Sequence, residues 1–134
     1  MMYIKRGLFA VALLATVYGV SATSIDLDSK DKVIKEAREA VATNYDNNWK
    51  VFAKSAQMVL ERNVALDEAK EWIDASIQVK ETPFNLELMG DYYLAKGDNV
   101  QAMDYYVQSL ILLKETSIAP DTDGLQSKIW KARG

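Results

Sequence analysis

The chain contains neither cysteine nor histidine. Without cysteine there is no disulfide, no thiolate metal site and no thiol nucleophile. Without histidine the commonest general base and the commonest metal ligand are both missing. Positive charge is also in short supply: 16 Lys and Arg stand against 19 Asp and Glu, a net charge of −3, and no Lys/Arg block interrupts the balance. Such a surface repels phosphate backbones, so a nucleic-acid partner is not expected. Proline occurs twice, at Pro83 and Pro120. What remains is 134 residues, 49% hydrophobic, enough for one small domain.

The N-terminus reads as an export signal. Lys5 and Arg6 form a positive n-region, and Gly7 to Tyr18 form an uncharged, mostly apolar h-region. Val20-Ser21-Ala22 supplies small residues of the A-x-A kind, so residues 1–22 are expected to be a signal peptide cleaved after Ala22. The apolar run falls short of the roughly 20 residues that span a bilayer, so no membrane attachment is expected after cleavage. No cysteine follows to carry a lipid anchor. The expected location is the bacterial periplasm or the exterior. Losing Lys5 and Arg6 with the leader makes the mature chain more acidic by two charges.

Residues 23–28 are polar and read as a flexible lead-in to a helical domain over 29–134. Helical periodicity then recurs along the chain. A first helix carries Val33, Ile34, Ala37, Ala40, Val41 and Tyr45 on one stripe, with Asp28 or Ser29 as its cap. Asp46-Asn47-Asn48 breaks the pattern and can cap the next helix, which carries Trp49, Phe52, Ala53, Ala56, Val59 and Leu60. Another follows with Leu66, Ala69, Trp72, Ile73, Ser76 and Ile77. Thr82-Pro83 then gives a cap and a first helical turn. Two more helices meet at Lys96-Gly97-Asp98, where Gly97 suits a left-handed end and Asp98 a cap completed by Gln101. The first carries Leu86, Met89, Gly90 and Tyr93; the second carries Ala102, Tyr106, Ser109 and Leu110. Gly90 and Ala102 are small enough to mark a close approach between them, with Tyr93 and Tyr106 filling the space beside it. Beyond Pro120, a short last helix over about 122–132 presents Leu125, Ile129 and Ala132, with Trp130 beside them. The expected fold is all-α, with about six helices.

The run Asn85 to Leu113 resembles a tetratricopeptide repeat. Leu86, Met89-Gly90, Tyr93, Ala102 and Tyr106 stand at that family's offsets, although Ser109 replaces the usual small Ala and Lys114 the closing Pro. A weaker copy precedes it. Phe52, Ala56 and Val59 lie 34 residues before Leu86, Gly90 and Tyr93, and Ala69, Ile73 and Ser76 lie 33 before Ala102, Tyr106 and Ser109. The changed offset puts an extra residue in the turn around Asn63-Val64-Ala65, with Asn63 as its left-handed residue. The resemblance implies antiparallel hairpins stacked as a short solenoid: repeat 1 at about 49–82, repeat 2 at about 83–115, then a capping helix. Trp49 to Leu113 is also similar to the helical tail of a group of exported bacterial proteins of uncharacterised function. The β-rich domain that precedes the tail in those proteins is not in this chain.

In tetratricopeptide proteins the first helix of each pair lines a concave face. The resemblance implies a groove formed by Lys50, Ala53, Gln57, Leu60 and Glu61 in one unit and Phe84, Glu87, Asp91, Leu94 and Ala95 in the next. A solvated face, or one covered by the N-terminal helix, is the structural alternative. Glu87 and Asp91 occupy places where carboxylate-gripping members of the family need cations, so a basic, partly apolar partner segment is expected. The same two acids could do acid–base work, but no nucleophile, base or cofactor motif accompanies them. Asp121-Thr122-Asp123-Gly124 looks like the start of a calcium loop, but Ala119 and Trp130 stand where further ligands belong. It reads as a turn and cap. Tyr92 and Tyr105 fall off the stripes and are expected at the surface. No enzyme activity, cofactor or metal is expected. The leading expectation is an exported module that binds a protein of the cell envelope. The alternative is a small structural subunit that self-associates into a homo-oligomer.

Overall fold

A computed structural model describes residues 28–134. The leader, its cleavage site and residues 23–27 of the lead-in lie outside the described residues. The chain divides into two compact units, residues 1–33 and 34–134. Of the first, only the opening turns of a helix are described; the second holds everything discussed below.

Among the described residues the fold is all-helical, with six helices and no strand. They are α1 (28–42), α2 (Trp49–Glu61), α3 (Leu66–Val79), α4 (Pro83–Ala95), α5 (Asn99–Thr116) and α6 (Asp123–Arg133). None is long and apolar enough to cross a membrane. Asp28 and Ser29 already lie inside α1, so neither is its cap. Tyr45 departs from its expected stripe and is 86% exposed, because α1 ends at residue 42 and the chain turns away before reaching it.

Local chemistry sets the other boundaries. Asn48 caps α2 by accepting from the Lys50 N–H at 3.0 Å. Thr82 and Asn85 form a reciprocal capping box on α4: the Thr82 hydroxyl accepts from the Asn85 N–H, and the Asn85 amide oxygen accepts from the Thr82 N–H. Pro83 sits at the first position, where its missing N–H costs nothing. Asp98 caps α5 through the Gln101 N–H, directly after Gly97 at φ +80°. The turn between α2 and α3 is less comfortable. Asn63 and Ala65 both take positive φ there, at +53° and +48°. Ala65 is a non-glycine residue in the left-handed region, a strain of roughly 1–2 kcal/mol.

Two helical hairpins form the body. α2 packs on α3 and α4 on α5, α4 also touches α2 and α3, and α6 lies on α5. Ala56, Val59, Ala69, Ile73, Leu86, Met89, Ala102 and Tyr106 are buried between them, with Phe52 and Tyr93 half-buried. α4 is enclosed on several sides. Tyr92, expected at the surface, is therefore buried, and it meets Tyr93 edge-on. Tyr105 is half-buried and stacks on Tyr93 at 5.5 Å, where burial raises its pKa.

One device recurs in both hairpins. The buried Ser76 hydroxyl of α3 donates to the carbonyl of Trp49, the first residue of α2, at 2.9 Å. The buried Ser109 hydroxyl of α5 donates to the carbonyl of Pro83, the first residue of α4, at 2.6 Å. Each bond gives a buried serine hydroxyl its partner, on a carbonyl that its own helix also uses, and so ties the two helices of the hairpin together. Ser76 also accepts from the Asn85 amide at 3.1 Å, and that amide donates to the Lys80 carbonyl at 2.7 Å. The joint between the hairpins is thus a closed polar network inside an apolar core. No buried side-chain N or O among the described residues lacks a partner. At the other end, Arg38 of α1 forks onto Glu68 of α3 with Nε at 2.8 Å. That hydrogen-bonded contact holds the Glu68 carboxyl below its ordinary pKa.

Candidate functional site in the cleft of α2, α4 and α6

The site begins at Gly90. A Cβ built there would collide with the Tyr106 ring, whose atoms are the three nearest. Thus Gly90 faces Tyr106 rather than Ala102, the expected counterpart. The absent side chain lets the ring approach α4 closely, and its hydroxyl donates to Asp91 Oδ1 at 2.7 Å. From α6, Lys128 Nζ reaches the same carboxylate at 2.8 and 2.9 Å and Glu87 Oε1 at 2.6 Å. It also lies 5.7 Å from the Tyr106 ring centre. One lysine therefore ties together two acids a helical turn apart, and a tyrosine from a third helix completes the cluster.

The electrostatics follow from partial burial. Desolvation on its own would lower the Lys128 pKa, but the bonds to Asp91 and Glu87 outweigh it and the net shift is upward. Burial first, and the Asp91 carboxylate second, push the Tyr106 phenol well above its ordinary range. At neutral pH Tyr106 is a fixed neutral donor and Lys128 a fixed cation. The cluster therefore acts as a clamp that ties α4, α5 and α6 together.

Beside the clamp an open cleft of about 300 Å³ is lined by Gln57, Leu60 and Glu61 of α2, Leu88 and Asp91 of α4, and Lys128 of α6. Of the expected groove, Gln57, Leu60, Glu61 and Asp91 are brought together here. Others are placed elsewhere. Lys50 is exposed at the start of α2, with its ammonium 5.7 Å from the Trp49 ring. Phe84 is half-buried. Ala53 is fully buried, so it presents nothing outward. Leu94, expected in the groove, packs against the cluster of Ala102, Tyr106, Leu125 and Ala132. Most consequential, Glu87 and Asp91 are not a free acidic strip, because Lys128 already occupies them. These two acids are therefore not free to draw the basic partner segment expected of them.

Leu88 and Lys128 line the cleft without having been expected there. Lys128 follows Leu125 by three residues and precedes Ile129, at the edge of the buried stripe of α6. That edge position is the one signal the sequence held. Trp130 is exposed on the other side of α6, with the Arg133 guanidinium 5.3 Å from its ring centre. The acidic turn before α6 is an ordinary one: Asp121 Oδ1 accepts from the Asp123 N–H at 3.1 Å. No group of three or more metal-ligating side chains is assembled among the described residues. No protein-family model matches this chain, nor does any curated protein or solved structure.

Proposed function

We propose that this chain is an exported, tetratricopeptide-like module that binds a protein of the cell envelope, with the cleft of α2, α4 and α6 as its binding surface. The observation that carries the reading is the composition of that cleft. Leu60 and Leu88 offer an apolar floor between Gln57, Glu61, Asp91 and Lys128, and a small apolar patch ringed by a few fixed polar groups suits a protruding side chain of a partner. The repeat reading is supported by the two serine bonds. They join matching places in the two hairpins, with the spacing shortened by one residue in the second. In this arrangement α6 takes the place of a first helix in a third, incomplete unit and covers the open end of the stack. The envelope location rests on the leader sequence.

The acids no longer define the partner's charge. Among the cleft carboxylates, Glu61 is exposed and outside the clamp, so a hydrogen-bonding partner group meets Glu61 and Gln57 while its apolar neighbour enters between the leucines. The test is a pulldown from envelope extract with the purified protein, followed by the variants Gln57→Arg and Glu61→Arg. Glu61 is exposed and Gln57 half-buried on the cleft wall, and circular dichroism checks that both variants hold the fold. A partner captured by the wild type and lost from both variants supports the cleft. A partner retained equally by both places binding on another face.

A further inference from the structure

The outward face of α5 carries an apolar seam that the domain itself does not use. Val100, Val107 and Ile111 are 67%, 39% and 52% exposed, and Ile118 lies fully exposed two residues past the helix end. Asp104 and Lys114 are exposed on the same face, and neither makes an ion pair among the described residues. Whereas Ile118 follows the extended Ser117 and is off the helix, positions 100, 104, 107, 111 and 114 step by four and three residues in alternation along α5. That is the spacing of a coiled-coil seam, continued on a helix whose other faces already hold α4 and α6. Exposed apolar residues in one continuous line mark a contact surface more often than scattered ones do.

We propose that this seam is a two-fold interface with a second copy of the same chain, formed by antiparallel pairing of the two α5 helices. The argument is in the order of the side chains. Toward the N-terminal end the seam runs Val107, Asp104 and Val100, and toward the C-terminal end Ile111 and Lys114, so apolar residues flank its centre and one charge of each sign lies outside them. An antiparallel pair centred beside Ser109 therefore sets Val107 against the partner's Ile111. Asp104 meets the partner's Lys114. A two-fold axis makes each contact twice, which a closed symmetric dimer requires. Other arrangements fail on charge. Parallel helices would oppose Asp104 with Asp104 and Lys114 with Lys114. Slipping the antiparallel pair by one heptad would press Asp104 onto Val107 or Lys114 onto Ile111. Thus the charged pair fixes orientation and register, and the apolar positions supply the attraction.

The interface is independent of the cleft on α2, α4 and α6, so either reading can fail without the other. The test is sedimentation equilibrium of the purified chain over a wide concentration range, with two charge variants. Wild type should pass from monomer to dimer as concentration rises. Asp104→Lys alone, and Lys114→Glu alone, each oppose like charges at two places and should weaken self-association about tenfold. Mixed in equal amounts, the two variants should form a heterodimer, because each then meets its opposite charge. The double variant Asp104→Lys with Lys114→Glu should dimerise as the wild type does. Circular dichroism confirms that each variant is folded. A chain that stays monomeric at every concentration overturns the proposal. So does a dimer indifferent to the single changes, or mixed variants that fail to pair.

Discussion

The two hairpins solve the same packing problem with different pairs of residues. In α2–α3 the corresponding places hold Ala56 and Ile73; in α4–α5 they hold Gly90 and Tyr106. Both pairs are buried, and both hairpins are pinned by a serine bonded to the first carbonyl of the neighbouring helix. Exchanging a medium side chain for a large one is tolerated because the facing residue gave up its Cβ. The larger partner also brings a hydroxyl. Tyr106 reaches across α4 to Asp91, where Ile73 has nothing comparable to offer. The next contact outward differs in the same way. The places of Glu87 and Asp91 are held in α2 by Ala53 and Gln57, which carry no charge, whereas α4 holds Lys128 of α6 through a charged clamp. The first hairpin thus meets its neighbour through apolar contact and an uncharged hydrogen-bond network, and the second holds its neighbour in part by charge.

The joint between the hairpins should be the most sensitive place. Asn85→Ala removes the side chain that answers the Thr82 N–H, the Lys80 carbonyl and the Ser76 hydroxyl at once. Leaving those buried groups short of partners should cost roughly 3 kcal/mol or more by denaturant unfolding. A loss under about 1 kcal/mol would mean that water replaces the network.

Gly90→Ala comes next and breaks the comparison directly. The new methyl forces the Tyr106 ring away from Asp91, and overpacking of this kind should cost about 1–3 kcal/mol, less up to ~1 kcal/mol gained in helix propensity. Adding Tyr106→Ile recreates the Ala–Ile pair of the first hairpin and should recover part of the loss. Strict additivity of the two changes would show that the residues do not share the space.

Much of this fold was legible beforehand, for physical reasons. Thr82-Pro83, Gly97 and Asp98 act within one turn of themselves, so caps and boundaries could be read locally. The α5 cap and the left-handed Gly97 and Asn63 were readable in this way. The pairing across the hairpin was misread. Counting outward from the turn at Asp98, with equal rise on both arms, sets Gly90 against Tyr106 and leaves Ala102 beside Leu94. Spacing along one helix does not show which residue stands opposite. Tyr92 was misplaced because its own helix gave no sign of being enclosed by several others. Ala65 carries no local signal for its positive φ. Lys128 was missed as a clamp because its partners lie 37 residues away on the side of Asp91, and only the folded chain brings them together.

The serines test the shared device at smaller scale. Ser109→Ala removes the buried hydrogen bond from α5 to the Pro83 carbonyl and should cost about 1 kcal/mol. Ser76→Ala should cost more, because it removes the bond to the Trp49 carbonyl and also an acceptor from Asn85. Equal losses would contradict the inequality drawn between the two hairpins.

The clamp should show the smallest effect at neutral pH and a distinct one in base. Lys128→Met should cost roughly 1 kcal/mol, since the ion pairs are only half-buried. The pH dependence follows from the upward shifts of both Tyr106 and Lys128, whose ordinary values are 10.0 and 10.5. A group whose pKa is raised by folding contributes its full stability below the unfolded value and loses it as pH rises through the folded one. The thermal midpoint should therefore lose this contribution only above about pH 10. Tyr106→Phe and Lys128→Met should each make that alkaline fall shallower. An unchanged slope would mean that the clamp does not couple α6 to α4.

The most direct measurement of the binding proposal is photo-crosslinking at Gln57 in the cleft, with the exposed Glu71 of α3 as control. A photoreactive residue at 57 should give one discrete adduct with an envelope protein, weakened by Glu61→Arg, and the same residue at 71 should give none. An adduct formed equally from both positions, or from neither, would contradict the assignment of the cleft as the binding surface.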